Sequence, residues 1–203
     1  MKKRCSADKY FFLNGLIIGL LILGVVFCLS ACRTSSGAEH DEIVKTSIDL
    51  AQRYFSQGNY EKALEIYDKA LSLAEDYRLF YNKAIVLSSL GRNREAALLC
   101  ESSFENYPYI LSFKKAQAFY LSLAGENEAS RKAYIEILDL NPYDTEIRIS
   151  LIKAYMSAGL EDKAYEMALI LWNQGYRNLE TVKFLYEIRP EEWKEVYTAL
   201  QSD

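Results

Sequence analysis

The heptapeptide Gln57-Gly58-Asn59-Tyr60-Glu61-Lys62-Ala63 returns in looser form three more times at almost constant spacing, and this period restricts the fold more than any other feature of the 203-residue chain. The glycines of the four copies are Gly58, Gly91, Gly125 and Gly159, so the period is nearly uniform from one copy to the next. A repeat of that length is one supersecondary unit. A lone unit cannot bury its apolar face, so such units stack on their neighbours.

Aligned on those glycines, the units span 44–76, 77–110, 111–144 and 145–176. In the first, Leu50, Ala51 and Tyr54, then Ala63, Tyr67 and Ala70, recur at helical spacing and draw one stripe on each of two helices. The stripe is repeated by Ala84, Leu87, Ala96 and Cys100, by Ala118, Leu121, Tyr134 and Ile137, and by Leu151, Ile152, Tyr155, Ala164, Ala168 and Leu171. The spacing predicts helices over 41–57, 60–74, 77–90, 93–106, 110–124, 127–140, 144–158 and 161–174. Each glycine ends a helix through its access to positive φ. Asn59, Asn93, Asn127 and Asp144 stand near helix starts and are expected to cap free amides there. Two further helices are expected over 179–188 and 191–201, with apolar faces at Leu179, Val182, Leu185 and Tyr186 and at Trp193, Val196, Tyr197 and Leu200. Residues 177–203 are read as a cap over the last face of the stack, the alternative being a helix that docks onto another chain.

This pattern resembles the tetratricopeptide repeat (TPR) family over about 130 residues. The first copy, Leu50-Ala51 through Tyr54, Gly58-Asn59-Tyr60, Ala63, Tyr67 and Ala70, is the strongest match. The later copies depart from it: Ser130 replaces Ala63, and Ile137 replaces Ala70. The family proline after the second helix is kept at Pro108 and Pro142, where the first and fourth units have Glu75 and Tyr176. The resemblance implies an all-α fold, a right-handed superhelical solenoid of about four TPR hairpins closed by a capping helix pair.

Residues 1–31 read as an export signal: Lys2, Lys3, Arg4 and Lys9 precede an apolar run from Leu16 to Leu29. The run ends in Leu29-Ser30-Ala31-Cys32, which resembles the bacterial lipobox. That resemblance implies cleavage before Cys32 and a diacylglycerol thioether, with an N-acyl (palmitate-type) chain, on Cys32. Several chains anchor firmly, since each buried methylene contributes about 0.8 kcal/mol. The competing reading is an uncleaved anchor, because Tyr10 to Ala31 carries no formal charge and is long enough to span a bilayer. In both readings the basic flank sends the repeats out of the cytoplasm. Residues 32–40 are expected to be the lipidated cysteine and a short polar tether, Arg33 to Glu39 reaching at most about 25 Å. Arg33 is not the aspartate that retains lipoproteins in the inner membrane of enteric bacteria, so the expected site is the outer membrane, facing the periplasm of the cell envelope.

Without residues 1–31, which hold four basic side chains and one acidic, the chain has 20 basic and 27 acidic side chains. An acidic body of this kind argues against nucleic acid as a partner. Catalysis is not expected either. His40 is the single histidine, so no His-based triad or multi-histidine metal site can form in one chain, and no HExxH, CxxC, GxSxG or GxxxxGK[ST] occurs. Acidic clusters such as Glu191-Glu192 read as helix starts, and no cofactor or metal is expected beyond the lipid on Cys32. Of Cys5, Cys28, Cys32 and Cys100, only Cys100 stays a thiol after processing, and its place on the inward stripe predicts an inert, buried side chain.

In the TPR family the first helix of each unit lines a concave groove. By that resemblance the binding face is Lys45, Ile48, Gln52 and Phe55; Arg78, Tyr81, Ile85 and Ser88; Lys115, Phe119 and Ser122; and Ile149, Lys153 and Met156. Apolar side chains mixed with Lys45, Arg78, Lys115 and Lys153 suit a peptide or partner helix with apolar anchors and a carboxylate. Ile48, Tyr81, Ile85 and Phe119 can equally serve as packing within and between units. The clamp with which some members hold chaperone tails is incomplete, with Asn82 present but the paired asparagines missing. The expected function is therefore a membrane-anchored extracytoplasmic scaffold or adaptor for a protein partner, for example in envelope assembly or secretion. The alternative is a transporter-accessory lipoprotein that passes a small apolar ligand, in company with a periplasmic solute-binding protein. Oligomeric state is left open.

Overall fold

The computed structural model describes residues 37–202, and these are helical apart from short turns. Helix α1 covers residues 37–56, followed by α2 Tyr60–Leu73, α3 Tyr77–Ser89, α4 Asn93–Asn106, α5 Leu111–Leu123 and α6 Asn127–Leu140. Then come α7 Thr145–Ser157, α8 Glu161–Asn173, α9 Leu179–Ile188 and α10 Pro190–Gln201. Among α2–α10 every substantial helix–helix interface joins consecutive helices, which makes the described chain a stack of hairpins. The helices lie close to the spans that the glycine period predicts. One difference lies at the amino end: residues 37–40, expected to be tether, are helical. His40 reaches the carbonyl of Glu75 through Nε2 at 3.2 Å, and Val44, one turn on, is fully buried. The lipobox, Cys32 and the rest of the tether lie outside the described residues.

Each periodic glycine ends the first helix of its hairpin in the same way. The N–H after the glycine donates back to a carbonyl in the last turn of the helix: Asn59 to Tyr54, Arg92 to Leu87, Glu126 to Leu121 and Leu160 to Tyr155, all at 2.9 Å. That bond requires the left-handed region, where Gly125 sits at φ +78°. No atom stands within 4 Å of where a Cβ would lie on Gly125, so backbone conformation alone sets the cost of a side chain. Gly125→Ala is expected to lose about 1–2 kcal/mol in urea unfolding, and a change below a few tenths would refute the left-handed cap.

The core runs along the stack as three connected clusters, each shared by successive hairpins. Ala51, Ala63, Ala84, Ala96, Ala118, Ala164 and Ala168 are fully buried, so small side chains let paired helices approach where the stripes predict it. Ser130, at the position of Ala63, is also buried, and its hydroxyl donates to the carbonyl of Ala118 at 2.7 Å. The polar substitution is therefore satisfied across the hairpin. Cys100 is fully buried, and burial pushes its thiol up to about 12, which leaves no thiolate for chemistry near neutrality.

Capping differs from expectation. Asp144 does cap α7, accepting from the N–H of Ile147 at 3.2 Å, but the side chains of Asn59, Asn93 and Asn127 make no such bond. Asn93 and Asn127 are already the first helical residues, one step too late for the role, and Asn93 Oδ1 instead accepts from the Ser88 hydroxyl at 2.7 Å. The other side-chain caps are Asp76, for α3, and Asn178, for α9.

The carboxyl-terminal pair extends the stack. Leu179 begins α9 one full repeat after Thr145 begins α7, so α9 takes the place of a fifth first helix. It buries Thr181, Val182, Phe184 and Leu185 and packs on α8. Helix α10 buries no residue fully. It is held by Trp193, whose ring meets Trp172 edge-on at 5.0 Å and whose Nε1 donates to the Tyr165 hydroxyl at 3.0 Å. Tyr197 stacks on Tyr186 at 4.5 Å.

Candidate partner-binding face

The face predicted for binding is built by the odd-numbered helices α1, α3, α5 and α7. On α1, Lys45 and Gln52 are exposed, whereas Ile48 and Phe55 are half-buried against the first core cluster, Phe55 meeting Tyr60 at 5.1 Å. Ile149 and Met156 on α7 likewise pack against the last cluster, so each of these four contributes to packing. Ile85 and Ser88 are half-buried and Ser122 is exposed. Tyr81 belongs to both readings: its ring meets the buried Phe113 edge-on at 5.9 Å, across from α3 to α5, yet 36% of the residue is exposed. Phe119, near the middle of α5, is 51% exposed, with one edge against Tyr120 at 5.6 Å.

The cations of this face are not available in the way the sequence suggests. Arg78 donates to Asp76 at 2.9 Å and to Asp41 on α1 at 2.7 Å. Lys115 lies 2.6 Å from Asp144, the cap of α7, and 3.9 Å from Glu146; Lys153 lies 3.3 Å from Glu180 at the start of α9. In each case a basic side chain on one odd helix meets an acid near the start of an adjacent odd helix. Three of the four cations expected to suit a partner carboxylate, Arg78, Lys115 and Lys153, are thus paired with acids of the chain itself. The sequence reading missed Asp41 and Glu180 as partners because they sit about one repeat away.

Asp76 is the best-held of these acids. Burial by itself would raise its carboxyl, but the Arg78 side-chain and backbone hydrogen bonds outweigh this and hold it below its ordinary value of 3.8. A depressed carboxyl contributes stability that is complete above the unfolded value and is lost as pH falls through the folded one. Asp76→Ala should therefore cost about 1–2 kcal/mol at neutral pH, typical of a lost N-cap. The difference from the parent should shrink as urea midpoints are followed below about pH 4; a constant difference down to about pH 2 would contradict it.

Among the described residues no group of three or more histidine, cysteine or acidic side chains could hold a metal ion. No described helix is long and apolar enough to cross a membrane.

A family model described as tetratricopeptide repeat matches residues 27–76. Among solved structures, a tetratricopeptide repeat protein from Parabacteroides merdae superimposes with a TM-score of 0.67 at 17% identity, covering 79% of this chain and 66% of that one. MamA from Desulfovibrio magneticus RS-1, residues 41 to the end, superimposes with a TM-score of 0.61 at 16% identity, covering 79% and 90%. Human zinc finger CCCH domain-containing protein 7B is 46% identical over 55 residues; that stretch is 27% of this chain and only 6% of the human protein. Residues 27–76 thus match the tetratricopeptide repeat model, and the glycine-capped hairpins of residues 37–202 have the fold of these tetratricopeptide-repeat structures.

Proposed function

We propose that this chain is a non-enzymatic, membrane-anchored extracytoplasmic scaffold that binds a protein partner across the odd-numbered helices. Phe119 carries the reading. A phenyl ring half exposed in the central repeat forgoes burial worth about 25 cal/mol per Å². It and Tyr81, also partly exposed on the preceding odd-numbered helix α3, are the aromatic side chains on which interfaces concentrate their energy. Because Arg78, Lys115 and Lys153 already hold the chain's own acids, the partner favoured is an apolar helix or peptide face rather than an acidic tail. Anchoring rests on Leu29-Ser30-Ala31-Cys32 and the apolar run before it, which support a diacylglycerol-bearing Cys32 on the periplasmic side of the outer membrane.

Two measurements test this. A photo-crosslinking residue at Phe119 or Tyr81, in cells of the source organism, should give a discrete protein adduct, and the same residue at exposed Glu101 on α4 should not. Equal labelling at all three positions would remove the groove from the proposal. Adducts consisting of a small molecule alone would favour the transporter-accessory reading. Cys32→Ala should move the protein out of the lipid-modified membrane fraction; unchanged fractionation would favour an uncleaved span.

A further inference from the structure

Arg148 on α7 is only 5% exposed, and among the described residues no carboxylate forms an ion pair with it. Its Nη2 donates to the carbonyl of Pro142, and its Nη1 reaches only the thioether of Met167 at 3.6 Å. Its Nε is buried with no partner among the described residues. Burial lowers its proton affinity, but a guanidinium stays charged in proteins, so the charge is present. A buried cation without an anion is among the costliest arrangements a core can hold.

The preceding hairpin shows what is missing. Lys114 occupies the same place on α5, one repeat earlier, and lies 2.6 Å from Glu136 on α6. The hydrogen bond from Lys114 outweighs partial burial and holds the Glu136 carboxyl below its ordinary value. The counterpart of Glu136 in the next hairpin, at the same repeat interval, is Ile170. The internal carboxylate has been replaced by an apolar side chain while the cation has been kept.

The space beside Arg148 is an open pocket of about 450 Å³, lined by Ile135, Leu138 and exposed Asp139 of α6, by Pro142, by Leu151 and Tyr155 of α7 and by Met167 of α8. We infer that this pocket is a binding site for a monocarboxylate with an apolar body, its carboxylate supplying Arg148 with the counter-charge that Glu136 supplies to Lys114. One guanidinium balances one negative charge, and its fork matches a carboxylate. A phosphate dianion would leave excess charge against apolar walls and beside Asp139. None of the residues that line the pocket belongs to the face proposed above for a protein partner, so the site does not depend on that face.

The test is titration of the full chain, in non-ionic detergent, with hexanoate, with N-acetyl-leucine, with the uncharged N-acetyl-leucinamide and with inorganic phosphate, read by calorimetry. Saturable one-to-one binding of either carboxylate, at least about tenfold tighter than the amide or phosphate, is expected. Hexanoate favoured over N-acetyl-leucine marks an aliphatic acid as the source; the reverse marks a peptide terminus. Ile170→Glu puts a carboxylate at the repeat position of Glu136 and should weaken or abolish binding with the fold retained. Arg148→Met should abolish binding while Tm holds or rises, because it removes the unpaired buried charge. Asp139→Asn should tighten binding. Binding of the amide as tightly as the acid, binding that survives Ile170→Glu and Arg148→Met, or no binding of either carboxylate would overturn the assignment.

Discussion

Phe113→Ala is expected to lower the unfolding free energy by about 3–5 kcal/mol, the range for truncating a fully buried aromatic side chain. Phe113 has no exposed surface and lies near the start of α5, where it joins two hairpins: its ring meets Tyr81 on α3 at 5.9 Å and Tyr107, in the preceding turn, at 6.4 Å. Its neighbours Ala84, Ala96 and Ala97 cannot expand into the vacated space, so the cavity term adds to the transfer term. Being central, the loss should reach both sides of the stack. Hydrogen exchange should quicken in α3–α4 and in α5–α6 together, with an earlier urea midpoint. A loss under about 1 kcal/mol, or exchange confined to α5, would show that the two hairpins are not coupled through this ring.

Leu185→Ala should cost about 2–4 kcal/mol, but in a different place. Leu185 is fully buried on α9, where the terminal pair packs on α8, and α10 contributes no fully buried residue of its own. In a linear array each unit contacts only its neighbours, so a defect at the end loosens the end first. Amides of α9 and α10 should lose most of their protection while those of α2–α6 keep theirs. The newly uncovered face of α8, including Leu171, would then bind a hydrophobic dye. Uniform loss of protection along the chain would mean that the terminal pair is not a separable lid on the stack.

The contrast between these two substitutions bears on what a sequence can reveal. The hairpins are legible because Gly58, Gly91, Gly125 and Gly159 impose the same helix ending at a near-constant interval, and a period is a property of the chain itself. Phe113 and Leu185 are harder to rank: Phe113 is absent from the stripes drawn from the sequence, although buried Leu79 and Ile147 hold its place in the neighbouring repeats, and Leu185 lies past the last of those four glycines. Asp76 stands before α3 as Asp144, which the sequence does point to as a cap, stands before α7, but the residues around Asp76 lack the proline that marks the turn before Asp144. The binding face is legible as a set of positions on odd helices but not as chemistry. Lys115 reads as an open cation until Asp144, most of a repeat away along the chain, is found beside it. Arg148, between Ile147 and Ile149, is not singled out by any pattern in the sequence, and only the packing around it puts it inside.

The consecutive helix interfaces have a kinetic consequence. When substantial packing joins each helix to the next, the loops to be closed before contacts form are short, and closure entropy stays low throughout folding. Nucleation can begin in any hairpin and spread to its neighbours. During synthesis α1–α2 can close before the residues of α9–α10 have been made, because none of the first hairpin's buried partners Val44, Ala51, Ala63, Tyr67 or Ala70 waits for a residue beyond α3. The chain can therefore acquire its structure in the order in which it is made.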